Sequence, residues 1–327
     1  MNTSETKYYI GIDGGGTKTK FLVGRLIEGV DADGTVTTGL DVIGDYTSGG
    51  CHYMQIGFDG VETLMREGIQ STCETVGIKP DEIAFIYAGF AGYGDLISDQ
   101  PMLDEALQKA FGQIPYAAGN DCENALEGAL AGRPGINIIA GTGSIGSGRN
   151  ADGDFMRCGG WHYILGGDEG SAYWIAWNLL KEYARQSDER DEKTLLYDAV
   201  NRALELKTDD EMTTRVVNEW HLDRRRIAGL APIVSQLYEE GDPYAIDILN
   251  NCAKELADLA IVLHDKLNFG DASELVPVSG TGGVFKIGPA VIDPFNEILH
   301  QHGMEYVKPL HTPDMGALML AVKHGQA

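Results

Sequence analysis

The sequence of 327 residues lacks a long apolar run, and no segment reaches the roughly 18 apolar residues that a membrane span requires. Residues 1–7 are mostly polar and contain no hydrophobic segment of the kind found in a secretion signal. We therefore expect a cytoplasmic protein that has no membrane partner.

Cysteine is also scarce. The five cysteines are scattered, and no two of them have the spacing of a CxxC motif. This pattern excludes a disulfide framework and a zinc site of the usual spacing. Reduced thiols are the natural interpretation.

Positive charge is the third shortage. The 25 Lys and Arg residues are outnumbered by 49 Asp and Glu residues, which gives a formal net charge of −24 at pH 7. Because such a field repels a phosphate backbone, we expect no nucleic-acid partner. The only run of basic residues, 224–226, is interpreted as a solvated helix face. An anionic ligand would have to be bound locally, by backbone amides and a metal ion.

The composition is otherwise that of an ordinary globular protein, with 43% hydrophobic and 23% charged residues. The length exceeds what one hydrophobic core usually supports, so two domains are expected. Apolar runs and turns predict two similar α/β halves around a cleft. The last long helix of the second half has an apolar stripe that runs from Ala245 to Leu267.

The first half is predicted to begin with an antiparallel hairpin, because no helix fits between its first two strands. A turn at Asp33 and Gly34 precedes the third strand. The predicted elements of this half are strands at residues 8–12, 19–25, 35–40, 83–88 and 114–118, and helices ending near residue 77 or spanning 99–111. Those of the second half are strands at 136–140 and 275–279, helices between 169 and 267, and a closing helix at 314–323.

A glycine turn, Asp13-Gly14-Gly15-Gly16-Thr17-Lys18, connects the first two strands. It is neither a Walker A loop nor a GxGxxG fingerprint, because a strand follows it rather than a helix. Glycine N–H groups can approach phosphate oxygens closely, and Thr17 can add a hydroxyl donor. Asp13 can hold Mg²⁺ through water. An ordinary hairpin turn is the open alternative.

Two further glycine turns follow strands of the second half. Gly141-Thr142-Gly143-Ser144 nearly repeats the first turn, so two turns could clamp a triphosphate. Gly282 and Gly283 lie at the end of the strand near residue 279. Since ligands of open α/β sheets lie beyond the carboxyl ends of strands, this third turn could face the base and ribose of a nucleotide.

Asn120 and Asp121 come directly after a predicted strand. A carboxylate at such a position can accept the proton of a hydroxyl during phosphoryl transfer. The alternative is that Asp121 is the N-cap of the following helix.

Residues 158–174 combine a glycine-flanked tryptophan with two carboxylates at a helix start. Gly160 and Trp161 can form an apolar edge, and Asp168 can accept hydrogen bonds from paired hydroxyls. A sugar needs both features. His162 is more often an ordinary loop residue than a ligand.

In this combination and order, the motifs resemble the BadF/BadG/BcrA/BcrD ATPase family, and within it the N-acetylglucosamine kinases. The resemblance extends over nearly the whole chain, and Gly-Asp-Glu-Gly-Ser-Ala-Tyr-Trp at residues 167–174 is its most specific segment. It implies the α/β fold of actin and hexokinase, in which two RNase H-like domains flank a nucleotide cleft. We place the first of these domains at residues 1–118, and we expect the C-terminal helix 313–327 to pack back on it. The second domain is placed at residues 119–312.

The resemblance also implies transfer of the γ-phosphoryl group of MgATP to the 6-hydroxyl of an amino sugar, N-acetylglucosamine or glucosamine, by a protein that can form a homodimer. Asp121 falls on the catalytic base, and Asp13 is the candidate Mg²⁺ residue. The candidate ATP residues are Gly14, Gly15, Gly16, Thr17, Lys18, Gly141, Thr142, Gly143, Gly282 and Gly283. The candidate sugar residues are Asn120, Asp121, Ser144, Gly160, Trp161, His162 and Asp168.

The sugar residues depart from the pattern of the animal N-acetylglucosamine kinases. Ile145 stands where they have asparagine, His162 stands where they have glycine, and the segment 161–168 is one residue longer. An asparagine that reads the sugar is replaced within residues 48–52. The identity of the sugar therefore stays open.

Two other activities stay open. An ATPase that activates a radical dehydratase would need cysteines arranged to hold an iron–sulfur cluster at a dimer interface, and the scattered cysteines do not supply that arrangement. A non-catalytic sugar-sensing regulator of the same fold would have no use for Asp121 as a base.

Overall fold

The structure is a computed structural model, and it describes residues 7–30, 36–270 and 274–327. The chain divides into two compact units. The first unit comprises Met1–Arg133 and Pro309–Ala327, and the second comprises Pro134–Lys308. The predicted cleft concerns the placement of these units relative to each other, and it stays a prediction.

A five-stranded sheet of order β3-β2-β1-β4-β5 forms the centre of the first unit. β1 pairs antiparallel with β2 and parallel with β4, and β5 extends the parallel part. The strands are β1 (Tyr8–Gly14), β2 (Lys18–Val30), β3 (Val36–Gly49), β4 (Ile83–Phe90) and β5 (Tyr116–Gly119). β3 is longer than the sequence predicts, because it pairs with β2 from Val36 to Gly49. The predicted turn at Asp33 and Gly34 lies outside the described residues.

Helices cover this sheet and bury its apolar side chains, among which Ile10, Ile12 and Phe21 have no exposed surface. The helices of the first unit are α1 (Tyr53–Val76), α2 (Gln100–Phe111), α3 (Asp121–Leu130) and α11 (Pro313–Gln326), and a short 3₁₀ turn spans Pro80–Glu82. Gly57 interrupts the helical geometry of α1 with a φ of 74°.

The two helices α3 and α11 pack closely enough that glycines are required where they cross. A Cβ on Gly316 would collide with the backbone of Asn124, and one on Gly128 would collide with the carbonyl of Thr312. Leu310 N also donates to Ala129 O over 3.0 Å. The helix α3 therefore belongs to the same compact unit as α11, and this unit extends to residue 133. The domain boundary expected after residue 118 stays a prediction.

The second unit contains a sheet of order β10-β9-β6-β7-β8. Its strands are β6 (Gly135–Ala140), β7 (Ser144–Arg149), β8 (Phe155–Gly159), β9 (Val276–Thr281) and β10 (Met304–Val307). β6 pairs antiparallel with β7 and parallel with β9. Strand order and direction therefore repeat those of the first sheet, and the predicted pair of similar α/β halves is confirmed.

The second unit is richer in helices than the first. They are α4 (Ala172–Ser187), α5 (Leu195–Leu204), α6 (Glu211–Thr213), α7 (Arg224–Ala228), α8 (Ala231–Glu239), α9 (Pro243–Lys266) and α10 (Pro289–Gln301), with a π-helical turn at Thr214–Glu219 and 3₁₀ turns at Tyr163–Leu165 and Val284–Ile287. The apolar stripe of α9 packs on β7, where a Cβ on Gly146 would come within 2.9 Å of Leu263 Cδ1. In the part of the chain that the structure describes, no helix has the length and apolarity to cross a membrane.

Candidate functional site

The first glycine turn is closed by a hydrogen bond of 2.8 Å from Gly15 N to Lys18 O. Gly14 is packed from two sides, since a Cβ there would collide with Cys51 Sγ and lie 2.6 Å from Phe90 Cβ. Only glycine fits this position without displacing its neighbours.

Gly15 and Gly16 differ from Gly14 because space remains above them. A Cβ on Gly15 would meet Lys18 O at 3.4 Å, and a Cβ on Gly16 would meet Gln55 Nε2 at 3.7 Å. Thr17 and Lys18 are exposed. The turn therefore leaves space for a ligand beside these two glycines, as a phosphate-binding turn requires.

Asp13 lies at the end of β1, beside the turn. Its Oδ1 accepts a hydrogen bond of 2.9 Å from Asn124 Nδ2. Burial raises the pKa of Asp13 to about 6, although the hydrogen bond from Asn124 and the charges of Lys18 and Lys20 act to lower it. The charge of Asp314 adds to the increase. A cation placed beside this carboxylate would therefore be bound favourably.

Lys20 lies opposite Asp13 in the hairpin but forms its shorter ion pair with Asp314. Its Nζ lies 2.8 Å from Asp314 Oδ2, in the first turn of α11. Burial favours the neutral form of Asp314, but the hydrogen bonds from Lys20 and Thr312 outweigh burial and lower its pKa. Within the described ranges, no ion pair involves Asp13.

These residues fit a magnesium ion that is held mainly by water and by its nucleotide. Mg²⁺ takes oxygen ligands and usually binds one or two protein carboxylates, keeping several waters. Asp13, fixed through Asn124, would supply one such carboxylate. Residues 7–30, 36–270 and 274–327 contain no group of three or more His, Cys, Asp or Glu side chains that could form an all-protein metal site.

Asn120, not Asp121, is the N-cap of α3. The side chain of Asn120 accepts from Cys122 N over 3.2 Å, and its Nδ2 donates to Tyr93 O over 2.9 Å. Asp121 is the first residue of the helix. The alternative interpretation of Asp121 as the cap is therefore wrong.

The sheet register brings Asp121 to the same edge as Asp13. Asp13 pairs with Gly89, which pairs with Gly119, two residues before Asp121. Burial raises the pKa of the Cys51 thiol to about 12, and the negative charges of Asp121 and Asp13 add to that increase. Both carboxylates are therefore near Cys51.

The second glycine turn is joined to the start of α4. Gly141 N donates to Gly143 O over 2.8 Å, and Ala172 N donates to Gly141 O over 2.9 Å. Tyr173 N donates to Thr142 O over 3.3 Å. Thr142 is exposed at the tip of the turn. The predicted repeat of the first glycine turn is thus present as a strand–turn–strand unit.

Ser144 and Asp168, two predicted sugar residues, lie together but are already engaged. Asp168 Oδ1 accepts from Ser144 N over 3.2 Å, and its carboxylate forms an ion pair with Arg224. Ser144 Oγ donates to Glu169 O over 2.6 Å. Only 6% of Asp168 is exposed, and burial raises its pKa although Arg224 acts to lower it.

Arg224, the first residue of the basic run 224–226, is not part of a solvated helix face. Its guanidinium pairs with Asp168 and lies 5.5 Å from the centre of the Tyr163 ring. Arg225 and Arg226 are exposed, as predicted for a solvated face. The interpretation is therefore wrong for Arg224 alone.

The loop before Asp168 exposes its apolar side chains. Trp161 is 71% exposed, and Ile164 and Leu165 are exposed as well. Gly160 has a φ of 72°, and a Cβ there would come within 2.6 Å of Ile145 Cδ1. His162 Nδ1 accepts from Ile164 N over 3.4 Å. Its contact with a sugar stays a prediction.

The third glycine turn follows β9. Gly282 has a φ of 101°, and a Cβ there would collide with the carbonyl of Ala140. Gly282 therefore lies beside the end of β6, next to the second turn. Gly283 precedes the 3₁₀ turn Val284–Ile287. Contact with adenosine stays a prediction.

Sequence reasoning missed Asn124, Asp314 and Arg224. Asn124 is fully buried, but with Glu123 and Glu127 nearby in the sequence no local pattern distinguishes it. For Asp314 and Arg224 the sequence likewise holds no signal, since their partners are distant along the chain.

Comparisons with known proteins match nearly the whole chain. The sequence profile of the BadF/BadG/BcrA/BcrD ATPase family matches residues 10–321. An N-acetylmuramic acid/N-acetylglucosamine kinase of Clostridium acetobutylicum is 30% identical over 294 residues, which is 90% of each chain. An N-acetyl-D-glucosamine kinase of Dictyostelium discoideum is 28% identical over 325 residues, covering 96% of this chain and 97% of the other.

A solved structure supports the fold. That of a proposed N-acetylglucosamine kinase from Chromobacterium violaceum superposes with a TM-score of 0.72 at 24% identity, over 96% of this chain and 99% of the other. At 24% identity this match shows the fold alone.

Proposed function

The chain belongs to the BadF/BadG/BcrA/BcrD ATPase family, and we propose that it is an ATP-dependent amino-sugar kinase. It transfers the γ-phosphoryl group of MgATP to the 6-hydroxyl of N-acetylglucosamine or glucosamine. The kinase names of two relatives support this proposal. The observation that carries it is the placement of Asp121, which begins α3 directly after the cap Asn120 and lies at the same sheet edge as Asp13.

In the proposed reaction the sugar oxygen forms a bond to the γ-phosphorus, while the bond from that phosphorus to the bridging oxygen of ADP breaks. The hydroxyl proton passes to the carboxylate of Asp121 and from there to solvent. Nothing is oxidised or reduced. Asp121 begins α3, so its backbone is fixed by the helix and by the cap at Asn120.

Asp13 would hold the metal ion through water, and Asn124 keeps its carboxylate in place. The bound ion neutralises charge on the phosphate oxygens, which is the main requirement of phosphoryl transfer. The space beside Gly15 and Gly16, with the exposed Thr17 next to it, would admit phosphate oxygens. Thr142, exposed on the second glycine turn, would do the same.

For the sugar, Trp161 offers an exposed ring that can pack on the apolar face of a pyranose. Ser144 and Asp168 bind each other and their surroundings, so we propose that they shape this part of the site. Ile145 lies against Gly160, which leaves an apolar wall where related kinases carry a polar side chain.

The dehydratase-activator alternative finds no support in the cysteines. An iron–sulfur cluster needs thiols at an accessible surface, and Cys51, Cys73, Cys122 and Cys252 are buried. Location in the cytoplasm and a homodimer stay predictions.

A coupled assay of ADP release tests the proposed function. The purified protein would be given MgATP with N-acetylglucosamine, glucosamine, N-acetylmannosamine, glucose or water alone. We expect the amino sugars to accelerate ADP release well above the rate in water. Equal rates with every sugar and with water would contradict an amino-sugar kinase, and bound iron in anaerobically purified protein would favour the activator.

A further inference from the structure

The guanidinium of Arg224 packs against the second glycine turn, Gly141–Ser144. A Cβ on Gly143 would collide with Arg224 Nη2 and with Asp168 Oδ1, so the guanidinium lies directly against the backbone of the turn. Arg224 is the first residue of α7, while Gly143 follows β6. The missing side chain of Gly143 is thus what admits the guanidinium.

Two neighbours hold this side chain. The carboxylate of Asp168 forms an ion pair with it, and the ring of Tyr163 lies 5.5 Å below its central carbon. Tyr163 is itself packed edge-to-face on Tyr173 of α4, with the ring centres 5.0 Å apart. An arginine fixed in this way loses little conformational freedom when it binds a ligand.

The guanidinium is not fully satisfied by these partners. In the described part of the chain, Arg224 Nε is buried and has no hydrogen-bond acceptor. The side chain is nevertheless 36% exposed, in contrast to the 6% of its partner Asp168. A buried donor without an acceptor is costly and calls for an explanation, and the exposed part of the same side chain is where a ligand can reach it.

The position of Arg224 indicates the ligand. Thr142, on one side of Gly143, is a proposed ATP residue, while Ser144 and Asp168, on the other, are proposed sugar-site residues. The group that must pass from the nucleotide to the sugar is the terminal phosphoryl. In a protein with a net charge of −24, this anion requires a local cation.

We propose that Arg224 contacts the terminal phosphoryl group of ATP and stabilises its charge during transfer, an inference that rests on the proposed kinase function. Asp168 and Tyr163 orient the guanidinium, and its remaining N–H donors bind phosphoryl oxygens. Arginine suits this task because its planar donors match phosphate geometry. Asp168 thereby acts as a positioning residue for Arg224.

Calorimetric binding without sugar tests this contact, using ADP and a β,γ-imido analogue of ATP, both with Mg²⁺. Arg224→Met should weaken binding of the analogue by about 10- to 100-fold, the usual effect of losing a hydrogen bond to a charged group. Binding of ADP should change less than about threefold, because ADP lacks the terminal phosphoryl. Arg226→Met, an exposed arginine of the same helix, is the matched control and should change neither affinity.

Removing Arg224 alone leaves Asp168 buried without its cation, which can repel phosphate or unfold the protein. The double variant Asp168→Asn/Arg224→Met removes both charges and should still lose affinity for the analogue. Recovery of wild-type affinity in the double variant would overturn the contact, because Arg224 would then be only the counter-ion of Asp168.

Equal weakening of ADP and analogue binding would also overturn it. So would unchanged analogue binding in Arg224→Met when the wild type binds normally. A wild-type protein that binds neither nucleotide would instead overturn the proposed function, and this inference with it.

Discussion

Asn124 donates a hydrogen bond of 2.9 Å from Nδ2 to Oδ1 of Asp13 and so joins α3 to the end of β1. The same amide group lies within hydrogen-bond distance of Ile12 O at 3.2 Å and Gly89 O at 2.9 Å. One buried side chain therefore connects the carboxylate proposed for Mg²⁺ to the helix that begins with the proposed base. Since Asn124 is neutral, it fixes Asp13 without supplying the charge that a cation would supply.

The first prediction concerns Asp13→Asn in metal-free protein. Burial raises the pKa of Asp13 from 3.8 to about 6, so the folded state binds this proton more tightly than the unfolded state. The contribution of Asp13 to wild-type stability therefore falls as pH rises from about 4 to about 6. Because the amide that replaces the carboxylate has no charge to bury, the variant should be more stable at pH 7.5 by at most about 3 kcal/mol.

Chemical denaturation in the presence of a chelator measures this difference. The difference in the free energy of unfolding between variant and wild type should be largest above pH 6 and should disappear near pH 4. The variant should also lose Mg²⁺-dependent turnover. A variant less stable than wild type at pH 7.5 would contradict the origin that we give to the raised pKa.

The second prediction compares two glycines of one turn. Gly16→Ala should leave the melting temperature nearly unchanged, because the nearest atom to the new Cβ is 3.7 Å away. It should raise the KM for ATP, since the methyl group occupies the space proposed for phosphate. Gly14→Ala is the matched variant and should destabilise the protein by roughly 1–3 kcal/mol through overpacking against Cys51 and Phe90.

Thermal unfolding and steady-state kinetics on both variants separate packing from binding. A normal KM for ATP in the Gly16→Ala protein would contradict the proposal that this turn binds the nucleotide.

The third prediction concerns the exposed ring of Trp161. Trp161→Ala should raise the KM for the sugar roughly tenfold, which corresponds to one aromatic contact of about 1.4 kcal/mol. Stability should change by less than about 0.5 kcal/mol, because the ring is 71% exposed. The KM for ATP serves as the internal control. If it changed as much as that for the sugar, Trp161 would not be specific to the sugar.

Much of the fold follows from the sequence because its signals are local. The strand before Asp13, the glycine turn after it and the apolar stripe of α9 each depend on neighbours within a few residues. The extra length of β3 was missed, because only pairing with β2 reveals it. The domain boundary depends on the packing of α3 against α11, two helices that are distant along the chain.

The candidate site was predictable in its residue types but not in its partners. Asn124 and Asp13 are 111 positions apart, and no local pattern reports such a contact. Asp168 was predicted as a hydroxyl acceptor at a helix start, whereas α4 begins at Ala172 and the fold pairs Asp168 with Arg224. The cap at Asn120 was overlooked because Asp and Asn cap helices about equally well, so sequence alone does not distinguish adjacent candidates.

The most direct test of the proposed mechanism is the turnover of Asp121→Asn, measured as ADP release with saturating MgATP and amino sugar. Asn120 still caps α3 in this variant, so folding and ligand binding should persist. Asn120→Ala is the matched control for the helix and should cost about 1 kcal/mol of stability. If Asp121 is the base, turnover in Asp121→Asn falls roughly 10²–10⁴-fold. Near-normal turnover in protein shown to be folded would contradict the mechanism.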